Sequence, residues 1–176
     1  MGEMVDVVNE LDEVIGSAPR KNIHDTNHFH RAVHLFIFND DGKLWLEKRA
    51  PHCDTFPGYY SSSVAGHVGR GETYDQAARR ELKEELGLGG VKLKRLHKLR
   101  ASAETSNEFV AFFVGKSNEK PRLHSDSAKL IALSLEEISD QIQAGERMVP
   151  NFLALFSWYV SNLLFCGAGN GMPPAP

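Results

Sequence analysis

A chain of 176 residues that is 41% apolar and 24% charged, with a net charge of −3, has the size and balance of one soluble globular domain with its own core. It has no basic excess and no Lys/Arg run, which argues against a nucleic-acid polymer as partner, so an anionic ligand must be held by local positive charge or by metal ions. Cys53 and Cys166, far apart in the chain, make no disulfide framework and read as free thiols of a reducing compartment.

The N-terminus, Met1 to Asp12, is acidic and lacks the apolar core of a secretory leader. Val5–Val8 and Val14–Ile15 flank the polar turn Asn9–Asp12 and predict a hairpin over residues 3–16. Residues 17–28 are polar and fit a loop or short helix. Ala32–Phe38 is a dense apolar strand ended by Asn39-Asp40-Asp41-Gly42, and Leu44–Lys48 resumes as a strand, so a second hairpin is expected. Pro51–Ser63, rich in Pro, Gly and Ser, reads as a long loop, and Val64-Ala65-Gly66 as a strand end.

A helix follows. Thr73 is its N-cap, Gln76 completes a capping box, and Gly87 sits where a helix stops; Ala78, Leu82 and Leu86 form the apolar stripe. Val91–Leu99, Glu108–Val114 and Ile131–Leu133 read as strands. Ser134 to Glu137 opens a helix running to about Ala144, and Pro150 precedes a last helix over 151–165. Its apolar run, Phe152–Phe165, is too short to cross a bilayer, so no membrane contact is expected and a cytoplasmic location follows by elimination. Its aromatic residues most simply pack on the sheet, with a homodimer contact as the alternative. No repeat or linker divides the chain: residues 1–166 are expected to form a single domain and Gly167–Pro176 a disordered tail. Strands interleaved with helices imply an α/β domain with a mixed central sheet.

The chemistry is concentrated between Gly66 and Leu88. Glu81, Glu84 and Glu85, at i, i+3 and i+4, share one helical face. Such a cluster is either a solvated acidic face or a site for hard divalent cations, which favour carboxylate oxygens. Its surroundings point to the cation site. Gly66, Gly69 and Gly71 let the backbone approach a ligand, Glu72 adds a carboxylate before the helix, and Arg80 can pair with the acids. The string Gly66-x5-Glu72-x7-Arg80-Glu81-Leu82-x-Glu84-Glu85-x-Gly87-Leu88 resembles the Nudix box at every one of its nine defining positions.

The resemblance implies a Nudix-type α/β/α sandwich and a metal-dependent hydrolase that cuts a diphosphate linkage in a nucleoside diphosphate derivative or similar small molecule. By resemblance, Mg²⁺ or Mn²⁺ would be held by Glu72, Glu81, Glu84 and Glu85 with the Gly66 carbonyl, and Arg80 would orient the glutamates. A general base would come from outside the box: Asp126 roughly matches one such place, with Glu104 and Glu108 as alternatives. Arg31, Lys48 and Arg49 could offer charge to a phosphate.

His30-Arg31-Ala32, Lys48-Arg49 and Phe56-Pro57-Gly58 are similar to a narrower Nudix branch that includes isopentenyl-diphosphate isomerase. That enzyme uses a cysteine where this chain has Ala65, which neither donates nor accepts a proton. Of the isomerase's metal ligands, His30, His67 and Glu108 have counterparts, while the other upstream histidine falls on Ile23, beside His24. Hydrolysis is therefore favoured over isomerisation or a non-catalytic diphosphate-binding module. His24 and His28 are expected as loop surface and His34 as a residue packed in the sheet, with His30 and His67 open as parts of a second metal site.

Overall fold

The computed structural model describes residues 2–166. A small ribbon comes first: β1 (Met4–Val8) and β2 (Val14–Pro19) pair antiparallel around the Asn9–Glu13 turn, in which Asp12 adopts φ 64°. A 3-10 turn, Arg20–Asp25, leads to the main sheet. The sheet holds β3 (His30–Phe38), β4 (Leu44–Arg49), β5 (Tyr60–Ser61), β6 (Val64–His67), β7 (Lys94–Leu99), β8 (Glu108–Lys116) and β9 (Ser127–Leu133). The helices are α1 (Tyr74–Leu86), α2 (Leu135–Gln143) and α3 (Pro150–Cys166). The strand order is β5-β4-β3-β8-β7, with β6 on β3 and β9 on β4; β3 and β8 run parallel and the other pairs antiparallel.

The apolar run of β3 is explained by burial on both faces. Successive side chains of a strand point to opposite sides. Ala32, Phe36 and Phe38 meet Phe152, Leu155 and Tyr159 of α3, whereas Val33, Leu35 and Ile37 meet Ala78, Leu82 and Leu86 of α1. The result is a mixed sheet between helices, as expected of the Nudix-type α/β/α sandwich. Phe152, Phe156 and Tyr159 of α3 are buried within the chain, and Trp158 is partly buried against the same core.

Two pairings differ from expectation. β3 and β4 touch at Phe38↔Leu44 only, and the long partner of β4 is β9, from Leu44↔Leu133 to Arg49↔Ser127. The local turn signal at Asn39–Gly42 is real, but β6 takes the place beside β3 from Ala32 to Leu35. The ribbon also packs onto the loop before α1: Val5 bridges Gly69, the Gly71 N–H donates to Asp6 at 2.9 Å, and the Arg70 N–H donates to the Met4 carbonyl at 2.9 Å. The Gly167–Pro176 tail lies outside the described residues.

Candidate active site and metal centres

Helix α1 is fixed at both ends. Thr73 Oγ1 accepts from the Gln76 N–H at 3.3 Å and the Gln76 side chain accepts from the Thr73 N–H at 2.9 Å, while Gly87 takes the left-handed φ of 68° that ends the helix. With the apolar stripe buried against β3, the acidic face lies beside the Gly66–Glu72 loop. Arg80 organises it. Its Nε and Nη2 donate to the two oxygens of Glu72 at 2.9 and 2.8 Å, and its Nη1 donates to Glu81 at 2.7 Å and Glu84 at 3.1 Å. Nη2 also donates to the His67 carbonyl at 3.0 Å. Glu85 is held separately and accepts from the Ala65 N–H at 3.3 Å. Gly66 is required by space: a Cβ there would stand 2.2 Å from Glu81 Cδ.

Three carboxylates thus surround one guanidinium, with Glu85 held apart from it. The bond to Arg80 lowers the pKa of Glu72, whereas burial raises that of Glu81 against the pull of Arg80. Burial, aided by the charges of Glu47 and Glu81, pushes Glu85 well above the usual carboxylate range. A donor set of hard oxygens with excess negative charge suits a divalent cation, which would reverse these penalties. Beside it an open cleft of about 650 Å³ is lined by Glu3, Gly69, Arg70, Glu72, Arg80 and Glu84, among others.

A second cluster assembles from four parts of the chain. The parallel register places Glu108 against His30, the antiparallel register places His67 against Ala32 on the same face, and the 3-10 turn brings His24. One ligand atom from each of His24, His30, His67 and Glu108 lies within 4.8 Å of the others. His30 is fully buried; its Nδ1–H donates to the His28 carbonyl at 3.2 Å, and its Nε2 has no hydrogen bond and stands 3.5 Å from Glu108 Oε1. The second Glu108 oxygen accepts from Asn151 of α3 at 2.8 Å. Burial lowers the pKa of His67 to about 3, with Glu108 opposing, and lowers that of His24. Imidazoles around a carboxylate suit a softer divalent ion than the glutamates of α1 do. His24 therefore belongs to this cluster and is not mere loop surface.

The family model described as NUDIX domain matches residues 28–153. The chain belongs to the Nudix family. A Nudix hydrolase of Deinococcus radiodurans is 33% identical over 82% of this chain and 86% of its own length. An isopentenyl-diphosphate Delta-isomerase of Mycolicibacterium vanbaalenii is 32% identical over 65% of this chain and 67% of its own. A crystal structure from Deinococcus radiodurans superposes with a TM-score of 0.79 at 30% identity, covering 88% of this chain and 98% of that one. Membership and these likenesses support hydrolase activity in this Nudix chain.

The remaining candidates are distributed as follows in the Nudix chain. Asp126 is exposed at the start of β9, 3.5 Å from His52 Nε2, and its contacts do not include the box carboxylates. Glu104 is exposed. Arg31 is bound to Asp12 at 2.6 Å, Arg49 donates to the Thr55 carbonyl at 2.9 Å, and Lys48 sits 4.7 Å over the Tyr60 ring. His34 is packed in the sheet as expected, 2.8 Å from Ser62 Oγ. Sequence reasoning missed Glu47, a buried carboxylate on β4 that accepts from Ser127 Oγ at 2.5 Å and whose charge acts on Glu85. A single acid amid an apolar strand carried no signal of its own.

Proposed function

We propose that residues 1–166 act as one domain that hydrolyses a diphosphate linkage, in a nucleoside diphosphate derivative or similar small molecule, with Mg²⁺ or Mn²⁺. The observation that carries this reading is the knot of Glu72, Glu81 and Glu84 on Arg80 beside an open cleft, with Glu85 half-buried next to it. Glu72, Glu81, Glu84 and Glu85, with the Gly66 carbonyl, are the residues that would hold the ions. When bound, divalent ions neutralise charge on the diphosphate and make water a stronger nucleophile. Arg80 positions three of the carboxylates. Asp126, exposed at the rim of the sheet, is the base outside the box that would take a proton from the attacking water.

His24, His30, His67 and Glu108 would hold a further, softer ion, a reading supported by the unpartnered Nε2 of His30. The same cluster and the isomerase relative favour a second reading, proton transfer on a prenyl diphosphate. Ala65 speaks against it, because the position offers no acid or base and only its backbone N–H is engaged, by Glu85.

A panel of nucleoside and prenyl diphosphates assayed with Mg²⁺ and with Mn²⁺ tests the proposal. Metal-dependent release of phosphate-containing products, lost in Glu84→Gln, is expected. Turnover of isopentenyl diphosphate to its isomer, without hydrolysis of any member, would replace hydrolysis by the second reading, and Asp126→Asn at full activity would remove Asp126 from it.

A further inference from the structure

The histidine cluster contains a contradiction that points to a control device. His30 has the hydrogen bonding of a metal ligand: its Nδ1–H is anchored on the His28 carbonyl, so Nε2 presents a lone pair to the cluster. His67 has the opposite arrangement. Its Nδ1 accepts from Arg20 Nε at 3.3 Å, and a guanidinium can only donate. The one proton of a neutral His67 ring must then sit on Nε2, where it points at His24 Nε2, 3.1 Å away. A nitrogen that carries a proton has no lone pair for an ion.

We propose that Arg20 gates this site, its bond to His67 competing directly with metal binding. This inference rests on the reading of His24, His30, His67 and Glu108 as a metal site. For His67 to ligate through Nε2, its proton must pass to Nδ1 by way of solvent, the ring staying neutral. Nδ1–H and Arg20 Nε–H are then two donors face to face, and the bond between them is lost. The hydrogen bond from His67 to His24 is lost in the same step, which frees both Nε2 atoms. Arg20 does not need to leave the fold: its Nη1 is already paired with Glu3 at 2.9 Å, and its side chain is half exposed. Gate and ligand lie on the same 3-10 turn, four residues apart, so expelling the guanidinium shifts the segment that supplies His24. The positive charge of Arg20 opposes a cation by the same route.

The test is Co²⁺ binding to the full chain, read by its visible absorption and by competition with a chelator, in wild type, Arg20→Met, Arg20→Lys and His30→Ala. Arg20→Met keeps the apolar stem but removes charge and donor, and is expected to bind about five- to tenfold tighter than wild type. Arg20→Lys keeps the charge without the planar fork and falls between them. In metal-free wild type, ¹⁵N spectra are expected to show His67 protonated on Nε2. Equal or weaker affinity in Arg20→Met, with His30→Ala abolishing binding, would overturn the gate and leave the metal site standing. Co²⁺ binding unaffected by His30→Ala, or no binding by wild type and Arg20→Met alike, would overturn the metal site and the gate together.

Discussion

The carboxylates of α1 and the histidines of the sheet meet at Gly66 and His67, but they are held together in different ways. The carboxylates come from a single local stretch, and all but Glu85 are tied to one arginine that lies among them. The histidines and Glu108 come from a 3-10 turn and three strands, and are aligned by strand register. In the first site the organising cation belongs to the structure and leaves excess negative charge for ions. In the second the neighbouring cation, Arg20, works against one. The difference teaches that a local motif carries its own support, whereas a dispersed site borrows support from the whole sheet.

That comparison can be broken or sharpened, beginning with the largest expected effect. Glu84→Gln removes one box carboxylate without touching the core, and should lower metal-dependent turnover about a thousandfold with an unchanged melting temperature. If the melting temperature falls instead, the box is a structural knot. His34 probes the sheet that aligns the second site. Burial lowers its pKa from 6.5 to about 4, so between those values the unfolded chain binds a proton that the folded chain refuses. Stability should therefore decline as pH drops from 6.5 towards 4, by about 3 kcal/mol from this ring. Denaturant unfolding of His34→Gln across that window should show a correspondingly shallower decline. Gly66→Ala is next. Its Cβ would meet Glu81 Cδ at 2.2 Å, so Glu81 must move, and turnover should fall about a hundredfold while the helical signal is kept. The smallest effect is expected from Asp12→Ala. Asp12 clasps Arg31, Lys98 and the Tyr74 hydroxyl, holding the N-terminal ribbon that covers the box loop. Its loss should cost about 2 kcal/mol in thermal unfolding. It should also perturb both sites, because the ribbon touches the loop of one and precedes the 3-10 turn of the other.

The same difference governs how much could be read before folding. The Gly66–Leu88 segment is legible because its determinants are local: a cap, a 3.6-residue period, a glycine stop and three glutamates on one face. Residues on β3 and α1 were legible as core for the same reason. His24 was not, since it joins His30 only through the 3-10 turn and joins Glu108 only through the parallel pairing of β3 with β8. The β4–β9 pairing spans a long sequence separation and leaves no trace in either strand, and Glu47, which depends on Ser127 across that pairing, stayed hidden with it. Asp126, placed at a family position, stands 3.5 Å from His52, a contact that no spacing rule would supply.

The central claim is that the carboxylates of α1 grip divalent ions against a diphosphate. It is tested most directly by anomalous diffraction from crystals grown with Mn²⁺ and a non-hydrolysable diphosphate. The account predicts Mn²⁺ in contact with Glu81, Glu84 and Glu85 and with phosphate oxygens, Arg80 still bound to Glu72. Diphosphate seated elsewhere, with no Mn²⁺ at these three side chains, would contradict it.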